Sequence, residues 1–124
     1  MKEDFKKMDA MLKKINGTSR LFRPPYGEIN QPVFNFVRSQ NYHVIGWSQD
    51  AKDWKYYSQT NYTEKVLKEL KNRITEKSIV LMLEDNSKSI EILDEVMKLV
   101  VKSGYQSTTV SSCLGFNKIK RNKK

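Results

Sequence analysis

Three short stretches hold residue types that could do chemistry. The first is Arg23-Pro24-Pro25-Tyr26-Gly27, which follows the apolar pair Leu21-Phe22. Its two prolines fix φ at about −65° and remove two amide donors. The arginine before them is pushed out of the helical region, and Gly27 can take a φ that other residues resist. The pattern predicts a stiff loop at the end of a strand, presenting the Arg23 cation with the Tyr26 ring and amide. Such a loop is either a plain turn or one wall of a site. The second stretch is the polar segment 48–60, which carries Asp50, Asp53 and Trp54. Loops of this length belong to a site or to disorder, and the aromatic residues argue against disorder. The third is Leu83-Glu84-Asp85, at the end of an apolar run. Asp50, Asp53, Glu84 and Asp85 could in principle hold a hard cation. Carboxylates on loops are more commonly only solvated, and no metal site is expected. The one histidine, His43, lies between Tyr42 and Val44, where a core or edge role is expected.

These stretches have to be positioned by regular elements. Phe5, Met8, Met11, Leu12 and Ile15 recur at helical spacing over 2–15, and Asn16-Gly17 should end that helix. Leu21-Phe22 reads as a short buried strand. Asn30 is a good N-cap, with Pro32 in the first turn of a helix that buries Val33, Phe34 and Val37. Residues 42–47 read as a strand by length and β-branched content. Thr63-Glu64 opens a helix with Val66, Leu67, Leu70 and Ile74 on its buried face. The continuous apolar run 79–83 marks a strand covered on both faces. Ile90, Leu93, Val96, Met97, Val100 and Val101 form one long helix that Gly104 stops, and 105–110 reads as the last strand. The order is α-β-α-β-α-β-α-β, which implies an α/β fold of about four parallel strands and four helices with right-handed crossovers. In such sheets and barrels chemistry sits at the carboxyl ends of the strands. All three stretches fall at such ends.

Composition narrows the function classes. The chain has 124 residues, 38% hydrophobic and 30% charged, which suits one modest globular domain. No apolar run approaches the roughly 20 residues of a membrane span, and the charged start lacks a signal-peptide core. Compartment is left open. The net charge of +9 is partly terminal, because Lys118, Lys120, Arg121, Lys123 and Lys124 crowd the end. The tail 117–124 is expected to be a solvated, disordered end, and nucleic-acid binding is not expected, since no aromatic residues interleave with the charge. One cysteine, Cys113, allows no internal disulfide. Asn16-Gly17-Thr18 and Asn61-Tyr62-Thr63 fit a short glycosylation pattern that decides nothing here.

Taken together, the stretches resemble a known family. Arg23-Pro24-Pro25-Tyr26-Gly27-Glu28 resembles the RPPYG loop of the polysaccharide deacetylases (NodB-homology domain), especially fungal-type chitin deacetylases. Asp50, Asp53 and Trp54, after Trp47, resemble their Asp-Trp motif. Ser78-Ile79-Val80-Leu81-Met82-Leu83-Glu84 stands where they have a strand ending in His-Asp. Gly104-Tyr105 and Val110-Ser111-Ser112-Cys113-Leu114-Gly115 resemble their closing segment. Spacing and order agree from about Phe5 to Gly115, and the resemblance reads 1–116 as the carboxyl-terminal half of a distorted (β/α) barrel.

The resemblance implies metal-dependent hydrolysis of N-acetyl groups on an N-acetylglucosamine polymer such as chitin. The family metal, such as zinc, is held by residues that the resemblance places outside this chain, so no bound cofactor is expected. By position, Arg23 would orient the general base and the Tyr26 amide would donate to the oxyanion. Asp53 would tune the catalytic histidine and, with Trp54, line the sugar groove, and Leu81 would pack under the acetyl group. Leu83 stands at the histidine position, and Glu84 replaces the following aspartate. A chain with one histidine and leucine at that position is expected to be a truncated, inactive relative. It is either an incomplete gene or a genuine pseudoenzyme. A carbohydrate-binding role through Tyr26, Asp53 and Trp54 is the alternative. Trp47 is expected in the core, Trp54 either in the core or on a sugar-stacking surface, and Arg23 either in the site or paired with Asp53 or Glu28. Open strand edges would invite self-association.

Overall fold

The computed structural model describes residues 1–15, 19–84 and 87–116. Two short parallel ladders organise it, each in its own unit, Met1–Ile45 and Gly46–Lys124.

In the first unit, Leu21–Phe22 (β1) pairs in parallel with His43–Val44 (β2). The helices Lys2–Leu12 (α1) and Gln31–Ser39 (α2) supply the apolar side chains beside it. The core is aromatic. The Phe5 ring lies 5.0 Å from Tyr42 and 5.3 Å from Phe36, both edge-on, and 6.0 Å from Phe22. Edge-on contacts of this kind add stabilisation beyond the buried area. Val37 is fully buried beside them. The Tyr42 hydroxyl donates to Asp9 Oδ1 at 2.8 Å, which ties the entry to β2 onto α1. Asn30 caps α2 as its type predicts, its side chain accepting from the Val33 amide at 3.0 Å. Asn41 leaves α2 with φ of 61°, a conformation that asparagine tolerates.

The apolar stripe of α1 is only partly used. Phe5 is buried, but Met8, Met11 and Ile15 are exposed, because within this unit α1 meets the aromatic cluster through Phe5. The expected stop at Asn16-Gly17 lies outside the described residues.

In the second unit, Gln49–Asp50 (β3) pairs in parallel with Val80–Leu81 (β4). Between them run Asp53–Tyr56 (α3) and Tyr62–Lys71 (α4). After β4 come Ser87–Glu91 (α5), Leu93–Lys102 (α6) and Val110–Cys113 (α7). Val66, Leu70 and Ala51 are completely buried with Tyr62, Ile92 and Val96, and Val80, Met82 and Leu99 pack on them. The Leu-Val face of α4 is therefore the core-forming face that its spacing predicted.

The α/β fold with short parallel strands is as expected, and α1, α2, α4 and α6 are the four long helices. Four elements differ. The strand expected over 42–47 forms a ladder only at β2, and β3 lies in what the sequence presented as loop. Backbone pairing with β4, through Ala51 N–H to Leu81 O at 3.1 Å, needs no apolar pattern. The long final helix is divided at Ile92, which lies between α5 and α6 and sends its side chain into the core. Residues 105–110 form no strand. Thr109 instead caps α7, its side chain accepting from Ser112 N–H at 3.2 Å, so the helix begins at the residue expected to end the strand. Gly104, with φ of 83°, ends α6 as its type predicts.

Candidate functional site

The residues singled out by their chemistry fall into two groups, one in each unit. In the first, the chain leaves β1 through Arg23 into a 3₁₀ turn at Pro25–Gly27. Pro24 and Pro25 carbonyls accept from the Gly27 and Glu28 amides, each at 3.1 Å. Between them sits Tyr26 with φ 56° and ψ 8°, followed by Gly27 with φ 74°. A left-handed residue costs about 1–2 kcal/mol when it carries a Cβ, and strain of this kind is held only where neighbouring structure imposes it. Here two prolines and a glycine impose it. The Tyr26 ring is 95% exposed, and its amide has no hydrogen-bond partner among the described residues. Arg23 is also exposed, and pairs with no described carboxylate of its unit. The turn is one wall of an open, mainly apolar cleft of about 740 Å³ that Met8, Phe22, Ile29 and Val33 also line.

The second group gathers where β3 and β4 end. Asp50, the last residue of β3, accepts from the Lys52 amide at 2.8 Å through Oδ1. Its Oδ2 accepts from the Trp54 indole N–H at 3.4 Å. Lys52 is left-handed, with φ of 53°. That conformation is held by the Asp50 contact and by its ammonium, which donates to Glu69 at 3.1 Å. Glu69 also accepts from the Tyr56 hydroxyl at 2.6 Å. Tyr56 first and Lys52 second hold the Glu69 carboxyl below its ordinary value.

The turn delivers Asp53 into the interior, where it is completely buried. Asp53 Oδ2 accepts from the Leu83 amide at 2.8 Å and from the Ser89 hydroxyl. Ser89 is in turn 2.9 Å from the Tyr62 hydroxyl. Asp53 Oδ1 is buried without a hydrogen-bond partner among the described residues. Asp53 thus lines no groove, contrary to the sequence expectation, and among the described residues its hydrogen bonds are to Leu83 and Ser89. Trp54, by contrast, is 55% exposed and is not part of the core. Leu81 and Leu83 are half-buried and Glu84 exposed, while Asp85 lies outside the described residues.

The remaining candidates are structural. His43 sits in β2, its Nδ1 accepting from the Arg38 guanidinium at 3.1 Å. Trp47 is half-buried. Lys88 donates to the Tyr57 carbonyl at 2.7 Å and lies over the Tyr57 ring. No three His, Cys, Asp or Glu side chains among the described residues stand close enough to hold a metal ion. The described residues therefore do not fit the metal that the resemblance implies. Ser89 and Tyr62 were not singled out from the sequence. A serine three residues from a helical apolar position carries no signal until its partner is known to be buried.

No family model matches the chain. A peptidoglycan-N-acetylglucosamine deacetylase of Bacillus cereus is 33% identical over 101 residues, which is 77% of this chain and 46% of that protein. Chitin deacetylase 2 of Saccharomyces cerevisiae is 29% identical over 109 residues, 86% of this chain and 34% of that protein. Among solved structures, peptidoglycan deacetylase PdaC of Bacillus subtilis aligns with a TM-score of 0.70 at 30% identity, over 88% of this chain and 51% of that one. A mutant of BA3943, a carbohydrate esterase family 4 pseudoenzyme with restored enzymatic activity, aligns with a TM-score of 0.71 at 25% identity, over 88% of this chain and 39% of that one. The homologues and structural neighbours of this chain are thus peptidoglycan and chitin deacetylases, the polysaccharide deacetylases. The chain spans about half the length, or less, of those it matches. No described helix is long and apolar enough to cross a membrane.

Proposed function

We propose that this chain is the carboxyl-terminal half of a polysaccharide deacetylase barrel, bearing one wall of the substrate groove and no proton donor for the leaving amine. Hydrolysis of an N-acetyl group needs a stabilised tetrahedral oxyanion and a proton delivered to the departing nitrogen. The Tyr26 amide suits the first task, since it has no hydrogen-bond partner among the described residues and sits in an exposed turn. One such donor can be worth about 3 kcal/mol in the transition state. Arg23 is assigned the orientation of the base, by its place in the same loop. Leu81 is assigned the floor beneath the acetyl group.

The observation that carries the reading is at position 83. Its amide is bonded to the buried Asp53 carboxylate, the place where an acid-base side chain would be tuned, yet the side chain is leucine. Leucine neither gives nor takes a proton, which forfeits general-acid help typically worth about 10²–10⁴-fold. The chain is therefore proposed to be non-catalytic by itself. The substrate class assigned to the groove is a β-linked N-acetylglucosamine polymer, of chitin type by the resemblance of the motifs, with the glycan strands of peptidoglycan as the competing case. The test is acetate release from both polymers by the purified chain with zinc present. None above a no-protein control is expected, and metal-dependent release would overturn the reading.

A second reading is favoured by one observation. Trp54 is exposed with its indole oriented by Asp50, the arrangement of a stacking platform for a pyranose ring. Chitooligosaccharide should change the tryptophan fluorescence of the wild type and not of Trp54→Ala. A response that survives the substitution would sink this assignment.

A further inference from the structure

The hydrogen bonds around Asp53 have a fixed direction. Ser89 donates its only hydroxyl proton to Asp53 Oδ2, so in the contact with Tyr62 the serine oxygen must accept and the tyrosine must donate. The result is a one-way relay, from the Tyr62 hydroxyl to Ser89 to the Asp53 carboxylate, with the Leu83 amide as a second donor on the same oxygen. The Tyr62 hydroxyl is a donor at neutral pH at its ordinary value of about 10, and burial raises it further. Among the described residues, the other charged groups about Tyr62 are Glu91 and Lys88, whose ammonium is 5.7 Å from the ring centre.

Two features go beyond what packing requires. Ser89 is the buried residue of the five-residue helix α5, and a hydroxyl occupies a position that an alanine methyl would fill without any polar group to satisfy. Oδ2 also carries both donors while Oδ1, equally buried, has none among the described residues. Side-chain chains of this kind hold a group in one orientation because each member is itself held.

We propose that Ser89, backed by Tyr62, is a positioning residue that locks the Asp53 carboxylate with Oδ1 offered to the side chain at position 83. The proposal rests on reading position 83 as the proton-donor position of the deacetylase site. The side chain there starts two covalent bonds from the amide that touches Asp53. With leucine in place Oδ1 has no hydrogen-bond partner among the described residues. An N–H at that position would meet an acceptor already oriented toward it.

The test is solution NMR on the full chain. In the native background, Ser89→Ala should move the Leu83 amide proton upfield and speed its exchange about tenfold, the equivalent of one net hydrogen bond, and Ser89→Thr should restore both. Tyr62→Phe keeps the packing and should produce a smaller change in the same direction. In a Leu83→His background, the introduced imidazole should titrate above the ordinary histidine value of about 6.5, with His43 as an internal reference. Ser89→Ala should then bring it down by about half a unit or more. A folded Ser89→Ala chain whose Leu83 amide and introduced imidazole are both unmoved would overturn the proposal. So would an unmoved Leu83 amide in Tyr62→Phe, should Ser89→Ala fail to fold. None of these readouts depends on catalysis. Acetate release by the wild type would therefore remove the functional reading while leaving the relay standing, and an unmoved Leu83 amide would do the reverse.

Discussion

Replacing Tyr26 by glycine should stabilise the chain, although it deletes an aromatic side chain. The ring is 95% exposed, so its removal costs almost no buried area. The backbone at φ 56° and ψ 8° is the left-handed region, where a side chain costs about 1–2 kcal/mol relative to glycine. Glycine gives back about 0.5–1 kcal/mol through the greater freedom of the unfolded chain. The net gain is about 0.5–1 kcal/mol. With a urea m-value of about 1.5 kcal/mol/M, the midpoint of the transition that includes the first unit should rise by about 0.3–0.7 M. The assay is urea unfolding followed by far-ultraviolet circular dichroism, with Tyr26→Ala as a control that keeps a Cβ and should gain nothing. A lower midpoint for Tyr26→Gly would refute the claim that the turn holds strain. It would also remove the argument that the Tyr26 amide is presented at a cost in stability.

Other perturbations follow from the same geometry. Leu70→Ala removes a completely buried side chain from the second unit's core and should destabilise by about 2–5 kcal/mol in the same unfolding assay. Asn30→Ala deletes the cap on α2 and should cost about 1 kcal/mol, with Asn30→Asp restoring most of it. Glu69→Gln should make stability less dependent on acid. The Glu69 carboxyl lies below its ordinary value of 4.5, so its contribution is fully present above that pH and is lost as pH falls through the lower folded value. The gap between wild type and Glu69→Gln, read by unfolding midpoints, should be widest near pH 7 and close below about pH 4.5. A constant gap across that range would contradict the assignment.

What could be read from the sequence was the part written in local backbone chemistry. Asn30 with Pro32, Gly104 after α6, and the double proline before Tyr26 each act within a few residues, and each does in the structure what its type requires. Apolar spacing located α2, α4 and α6 for the same reason. The reading failed where the deciding partner is distant in sequence. Gln49–Asp50 is a strand because Val80–Leu81 lies alongside it, not because of any side-chain pattern. Residues 105–110 had strand-like composition, yet Thr109 found a closer partner in Ser112. The candidate site shows the same division. Arg23, Tyr26, Trp54 and Leu83 were legible as motif positions. The burial of Asp53 and the recruitment of Ser89 and Tyr62 depend on α5 and α4 packing around it, which no spacing rule encodes.

The central claim is that this chain presents a deacetylase groove wall whose proton-donor position is chemically inert. Acetate release tests it most directly, measured side by side on chitooligosaccharides and peptidoglycan glycan strands with zinc added and protein concentration varied. The account predicts traces that stay on the no-protein baseline for both polymers at every concentration. Release from either polymer that grows in proportion to protein and stops on chelation would contradict it.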